Sequence, residues 1–195
     1  MNKEIIILGR GGQGAVTCSQ IIAEAAFLSG KFKDVTSIPT FGTERRGTPV
    51  MAFTRLSDYK IWTRQSIKNP DFLLVLDSSI LNNGMIKIIK PNGALIINIE
   101  KCANDVVKEF NISEDITVIC ANITYLCIES NLILDGEPLV SVPILGLIPK
   151  IIEQIEFKFI VQAIQERFNE NLSNRYISIA KKIMEIADIR KGKNI

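Results

Sequence analysis

The stretch that most limits what this chain can fold into is the junction at its start, where an unbroken aliphatic run meets a cluster of glycines: "EIIIL" (4–8) passes directly into "GRGGQGAVT" (9–17). A short apolar run without polar alternation is the pattern of a parallel strand covered on both faces. Beyond the glycines, from Ala15 to Ser29, the apolar residues Val16, Ile21, Ile22, Ala25, Ala26 and Leu28 recur at helical spacing, and Gly30 supplies a C-terminal stop. A strand enters the glycine loop and a helix leaves it, which is the opening unit of an α/β fold.

The same rhythm recurs downstream. "DVTSIPT" (34–40) reads as a strand, and "VMAFTRL" (50–56) with "YKIWT" (59–63) reads as a hairpin across "SD". "DFLLVLD" (71–77) is a buried strand after Pro70, followed by a helix from about Ser79 to Ile89, a "KPNG" turn and the strand "ALIINI" (94–99). "CANDVVKEF" (102–110) predicts a short helix, "ITVIC" (116–120) a strand and "ITYLCIESN" (123–131) a helix. The Gly and Pro residues of "LDGEPLVSVPILG" then mark a bend before further helix. In "NRYISIAKKIMEIADIR", Ile177, Ala180, Ile183, Met184 and Ala187 share one face of a packing helix. No repeat, low-complexity linker or domain boundary interrupts the pattern. The expectation is one domain over residues 1–195, a three-layer α/β/α arrangement around a mainly parallel, Rossmann-like sheet.

Composition narrows the functions available. At 47% hydrophobic, 195 residues are enough to bury a core. Lys and Arg total 23 against 21 Asp and Glu, a net charge of +2, which is no basic field for nucleic acid or a membrane surface. The N-terminal apolar run is too short for a signal peptide, and no run of about 18 apolar residues occurs, so the chain reads as cytoplasmic. There is no histidine, which removes histidine-based general-base, triad and metal schemes. Cys18, Cys102, Cys120 and Cys127 form no CxxC pair and no iron–sulfur run, so buried, reduced thiols are expected. Cys18, in the first helical turn where the dipole lowers a thiolate pKa, is the candidate for a reactive one.

Two segments carry chemistry. Gly9, Gly11 and Gly14 satisfy G-x-G-x-x-G between strand and helix, where bare backbone N–H groups and a helix N-terminus can receive an anion, and Arg10 and Gln13 favour a ligand or partner. Equally, such glycines serve a tight turn and close helix packing. A dinucleotide site requires an acidic residue about 20 residues on, at the end of the second strand. That end reads "SIPT", with Asp34 at the strand's start, so NAD is disfavoured and NADP would need Arg45 or Arg46 for the extra phosphate. In the second segment, "FGTERRGTPV" (41–50), Glu44, Arg45 and Arg46 lie between Gly42 and Gly47, beside the first loop at the carboxyl edge of the sheet. Two guanidinium forks there suit phosphates or the carboxylates of another chain, and Phe41, Pro49 and Phe53 anchor the surroundings.

Together, "GRGGQGAVT", "FGTERRGTPV", "NPDFLLVLD" and "SVPILGLIPK" resemble the gamma subunit of the 2-oxoacid:ferredoxin oxidoreductases, especially the pyruvate enzyme, over almost the whole chain. The sequence departs from that pattern at Cys18 and in the looser segment "LCIESNLILDGEPLVSVPILG". The resemblance implies an oxidoreductase complex that decarboxylates a 2-oxoacid, forms acyl-CoA and passes electrons through iron–sulfur clusters to ferredoxin. It implies alpha, beta and ferredoxin-like delta partners, with thiamine diphosphate between alpha and beta and the clusters mainly in delta. This chain would contribute assembly and, as a candidate ligand, coenzyme A; it would hold no cofactor tightly on its own and no metal, and would have no catalytic residue. The positions singled out for ligand or partner binding are Gly9, Arg10, Gly11, Gly12, Gln13, Gly14, Thr43, Glu44, Arg45, Arg46 and Gly47. A free-standing NADP-binding reductase domain and a ligand-free structural subunit are the alternatives.

Overall fold

The aliphatic run at the N-terminus becomes strand β1, Asn2–Arg10, and its four central residues, Ile5 to Leu8, are buried on both sides. A computed structural model of the chain describes residues 2–39 and 47–193. In chain order the elements are β1, α1 (Ala15–Leu28), β2 (Asp34–Pro39), β3 (Pro49–Ser57), β4 (Phe72–Val75), α2 (Asn83–Lys87), β5 (Ala94–Asn98), α3 (Ala103–Phe110), β6 (Thr117–Ala121) and α4 (Ile123–Glu129). There follow β7 (Ile133–Leu134), β8 (Glu137–Pro138), α5 (Phe157–Arg167), α6 (Glu170–Ile186) and β9 (Asp188–Arg190). Short 3₁₀ turns cover Ser78–Ile80 and Pro143–Lys150.

Seven strands form one sheet in the order β2-β3-β1-β4-β5-β6-β9. β1, β4, β5 and β6 pair in parallel, while β3 runs antiparallel to both β1 and β2, and β9 antiparallel to β6. Five strands therefore share one direction. Because neighbouring side chains on a strand face opposite ways, the alternate residues of β1, β4, β5 and β6 divide into two cores. Ile5, Ile7, Leu74 and Ile96 meet α1, α4, α5, α6 and the 143–150 turn, and Ile6, Leu8, Val75 and Ile97 meet α2 and α3. The sandwich of helices on both faces is the three-layer α/β/α fold expected.

Three local expectations are corrected. Residues 59–63 form no strand: β3 already pairs with β1 on one side and β2 on the other, Phe53 lying opposite both Ile6 and Ile38, so no edge is free for them. The helix expected over 79–89 is broken in two because Leu81 is extended and Asn82 begins a new helix, its Oδ1 accepting from the Met85 N–H at 3.1 Å. The last helix stops at Ile186, and Asp188–Arg190 instead closes the exposed edge of β6. There Asp188 Oδ2 accepts from the Ala103 N–H at 2.6 Å and caps α3. The face of α6 that packs is centred on Tyr176, Ile179, Ala180 and Ile183, with Ile177, Met184 and Ala187 only half-buried at its margin.

The bend expected in "LDGEPL" is a hairpin, β7 to β8. Asp135 and Gly136 both have positive φ, 52° and 82°, the two-residue turn whose twist matches that of paired strands. It projects over the carboxyl edge of the sheet.

Candidate functional site

The carboxyl ends of β1, β4, β5 and β6 lie side by side, so the segments that follow them crowd one rim of the sheet, the place where open α/β sheets hold ligands. The glycine loop is fastened at this rim to the start of β3. The Gly11 N–H donates to the Thr48 carbonyl at 2.8 Å and the Gly47 N–H to the Gly11 carbonyl at 3.1 Å. Gly47 is thus brought against Gly11 as the sequence suggested. Thr43, Glu44, Arg45 and Arg46 lie outside the described residues.

Within the loop, the glycines answer mainly to packing. A Cβ on Gly9 would stand 3.0 Å from Leu76 Cδ1, and one on Gly14 only 2.5 Å from Ser141 Oγ. Gly12 and Gly14 have φ of 96° and 82°, which L side chains rarely adopt. Gly14 is the N-cap of α1 and among the described residues no side chain caps the helix, so its first N–H groups carry the partial positive charge that attracts an anion.

Arg10 is not a free guanidinium. Its Nε donates to Asp77 Oδ2 at 2.7 Å, Nη1 to the Gly47 carbonyl at 2.9 Å and Nη2 to Ser79 Oγ at 2.8 Å. Gln13 turns back on the loop, its Oε1 accepting from the Arg10 N–H at 2.7 Å and its Nε2 reaching toward Asp77 at 3.4 Å. Partial burial pushes the Asp77 carboxyl up, but hydrogen bonds from Ser79 and Arg10 and the arginine charge outweigh it and hold the group below its ordinary value of 3.8. The sign of the stability effect follows: a carboxylate with a depressed folded pKa stabilises the fold at neutral pH, and that contribution disappears as pH falls through the folded value. Arg10→Ala should cost about 1–2 kcal/mol at pH 7, discounted for the part-exposed positions of both partners, and the difference from wild type should shrink in acid. Urea denaturation at pH 7 and pH 3 checks both; an equal deficit at the two pH values would refute the pairing as its source.

Asp77 and Asn98 are the residues that sequence reasoning passed over. Asn98, 8% exposed at the end of β5, donates Nδ2 to the Leu76 carbonyl (2.9 Å) and Thr124 Oγ1 (2.8 Å), and its Oδ1 accepts from the N–H groups of Ile123 (2.9 Å) and Thr124 (3.1 Å). One amide ties β4, β5 and the start of α4 together. The available signal was position: "FLLVLD" and "ALIIN" each end an apolar strand on a single polar residue at the carboxyl edge.

Two clefts open on this rim, with Gln13, Glu137 and Pro138 lining both. The larger, about 960 Å³, lies over Asp77, Asn98 and Thr124, between Glu100 and Tyr125. The smaller, about 350 Å³, separates the glycine loop from the β7–β8 hairpin and includes Asp135 and Glu137. As receptors for a polyphosphate, the described residues offer the start of α1, while Lys101 of the larger cleft is paired with Glu109 at 2.6 Å. The carboxylates of the hairpin oppose the helix start, and Arg10 is already engaged.

Three of the four thiols, Cys18, Cys120 and Cys127, are buried. Burial pushes Cys18 far up, and it pushes Cys120 and Cys127 up to about 12, with the Asp188 charge adding to the effect at Cys120. Complete burial thus overrides the helix dipole at Cys18, against the reading of a reactive first-turn thiolate. Cys102 corrects the other expectation, being exposed with its Sγ 3.1 Å from Asp105 Oδ2. Among the described residues no group of three or more Cys, Asp or Glu side chains is placed to hold a metal, and no helix is long and apolar enough to cross a membrane.

A dinucleotide site meets a topological obstacle. In the nucleotide-binding arrangement the second strand lies directly beside the first, but here β3 stands between β1 and β2. The end of β2 is displaced by a further strand spacing of about 4.8 Å from the glycine loop. Asp34 is at the opposite end of β2, where its Oδ2 accepts from the Ile61 N–H at 2.7 Å.

Residues 4–187 match the family of pyruvate ferredoxin/flavodoxin oxidoreductases. The gamma subunit common to the pyruvate and ketoisovalerate oxidoreductases of Thermococcus litoralis is 36% identical over 183 residues, 93% of this chain and 95% of that one. The fold is shared with the pyruvate oxidoreductase subunit PORC of Thermotoga maritima, at a TM-score of 0.81 and 24% identity over 97% and 99% of the two chains. It is also shared with part of a 2-oxoglutarate:ferredoxin oxidoreductase from Magnetococcus marinus solved with 2-oxoglutarate, coenzyme A and succinyl-CoA bound, at a TM-score of 0.72 and 17% identity over 94% of this chain and 31% of that one. With the glycine loop, the 47–49 segment and the 143–150 turn all contained in one match that runs nearly end to end, the chain belongs to the pyruvate ferredoxin/flavodoxin oxidoreductase family, as a gamma-type subunit.

Proposed function

We propose that this chain is a non-catalytic assembly subunit of a cytoplasmic 2-oxoacid:ferredoxin oxidoreductase, probing no substrate itself and joined to alpha, beta and ferredoxin-like delta subunits that carry thiamine diphosphate and the iron–sulfur clusters. The observation that carries this reading is the engagement of Arg10. The guanidinium of this loop residue braces Asp77, Ser79 and Gly47, so the loop edge is built as a stiff surface. A relative shared by pyruvate and ketoisovalerate enzymes agrees with substrate choice residing in other subunits.

Two measurements test it. Affinity purification of the chain from its source should bring the partner subunits with it, and a solitary chain that binds NADPH would favour the reductase reading. The pure chain, supplied with thiamine diphosphate, coenzyme A and a 2-oxoacid, should reduce no dye, because the hard chemistry belongs to cofactors held elsewhere; turnover would overturn the non-catalytic role.

A second role, contact with coenzyme A, is favoured by the N-terminus of α1, which no side chain among the described residues caps. The coenzyme A in the Magnetococcus marinus enzyme accords with it. In the assembled enzyme, Arg45→Ala and Arg46→Ala should each raise the KM for coenzyme A at a cost of about 1.5–3 kcal/mol per lost charge-assisted contact. Subunits that separate on gel filtration, with coenzyme A affinity unchanged in the surviving complex, would instead assign these arginines to the interface.

A further inference from the structure

At the amino edge of the sheet, opposite the glycine loop, a cleft of about 450 Å³ opens between the start of β1, the end of β3 and the coil 59–63. Four of its lining side chains are cationic, Lys3, Arg55, Lys60 and Lys90, against one carboxylate, Glu4. Asp71 reaches Lys90 at 3.1 Å and Asp34 accepts from the Ile61 N–H, so Glu4, Asp71 and Asp34 are set against the four cations.

Arg55 is the unusual member. It is 8% exposed; its Nε donates to Glu4 Oε1 at 3.0 Å and its Nη2 to the Gln65 carbonyl at 2.7 Å, but Nη1 is buried with no acceptor among the described residues. A guanidinium cannot relieve that by losing its proton, so the site lacks one acceptor. At the mouth stand two aromatic side chains that nothing covers: Trp62 is 82% exposed and Tyr59 70%, with the Lys60 ammonium 4.5 Å from the Trp62 ring centroid. The coil that carries them is pinned, the Ile61 N–H on Asp34 and the Tyr59 N–H on Ser57 Oγ at 3.0 Å. Trp, Tyr and Arg gathered at one spot are the composition of interface hot spots.

We propose that this cleft docks an acidic segment of a partner polypeptide, a carboxylate entering toward Arg55 and Lys90 while the flanking chain covers Trp62 and Tyr59. The inference rests on the subunit role proposed above. A polypeptide is the occupant that suits the whole feature, because Tyr59 and Trp62 line the cleft mouth yet stay 70% and 82% exposed, more apolar surface than a small anion seated among the cations would cover.

The test compares the full chain alone with the co-expressed complex, using limited acetylation of lysines followed by mass spectrometry. Lys3 and Lys60 should react roughly tenfold more slowly in the complex, and Lys60→Glu or Trp62→Ala should weaken subunit association roughly tenfold while leaving the melting of the free chain unchanged. Equal acetylation in an intact complex, with both variants assembling like wild type, overturns the proposal and leaves the subunit role standing. Failure of the wild-type chain to capture any partner overturns the subunit role and this docking site with it. If inorganic pyrophosphate protects Lys60 of the free chain as strongly as assembly does, the cleft is a small-anion site and the docking assignment is wrong.

Discussion

Gly146→Ala should destabilise the chain by about 3 kcal/mol or more. The backbone of the 143–150 turn passes against α6 so closely that a Cβ on Gly146 would stand 2.2 Å from the Ala180 carbonyl oxygen and 2.8 Å from its carbon. Both obstacles are backbone, and neither can rotate away. The helix would have to move, taking Tyr176, Ile179 and Ile183 out of the core that they share with Ile144 and Leu147. Gly30→Ala is the matching control: its φ is +64° but nothing lies within 4 Å, so only backbone strain of about 1 kcal/mol is expected. Urea denaturation of the two variants separates the mechanisms, and a Gly146→Ala protein within about 1 kcal/mol of wild type would show that the close approach of turn and helix is wrong.

Asn98→Ala should cost about 3 kcal/mol, because it strips four hydrogen bonds from a nearly buried position and leaves the Ile123 and Thr124 N–H groups and the Leu76 carbonyl short of partners. Asn98→Asp is the informative companion. It retains an acceptor for the two N–H groups at the start of α4 but can no longer donate to Leu76 or Thr124, so an intermediate loss is expected. Hydrogen exchange should localise the damage of both variants to α4 and the ends of β4 and β5. A uniform loss of protection across the sheet, or an aspartate variant as damaged as the alanine one, would contradict the role of Asn98 as a latch between these elements.

The elements that were legible share a cause. β1, β4, β5 and β6 are flanked by helices on both faces, so their sequences are continuous aliphatic runs that admit few other readings. α1 announced itself by its spacing and by the glycines before it. Two of the errors fall where a segment's state depends on whether a distant edge is vacant. Residues 59–63 have strand composition, yet β1 and β2 already occupy both edges of β3. Asp188–Arg190 continues a helical pattern, yet the open edge of β6 captures it.

The candidate site divides in the same way. From the residues alone, a glycine loop at a strand-to-helix junction was determined, because positive φ and close backbone approach demand glycine wherever the chain later goes. The sequence by itself also determined that no histidine chemistry can occur in this chain. What only the tertiary structure decided is how the reactive side chains are used. Arg10 meets Asp77 across 67 positions of sequence, Gly14 is closed by Ser141, and Cys18 disappears into the core beneath α1. Whether a guanidinium is free or paired, and whether a thiol is wet or dry, depends on which strand ends become neighbours, and the insertion of β3 between β1 and β2 is a choice of pairing that no local stretch of this chain contains.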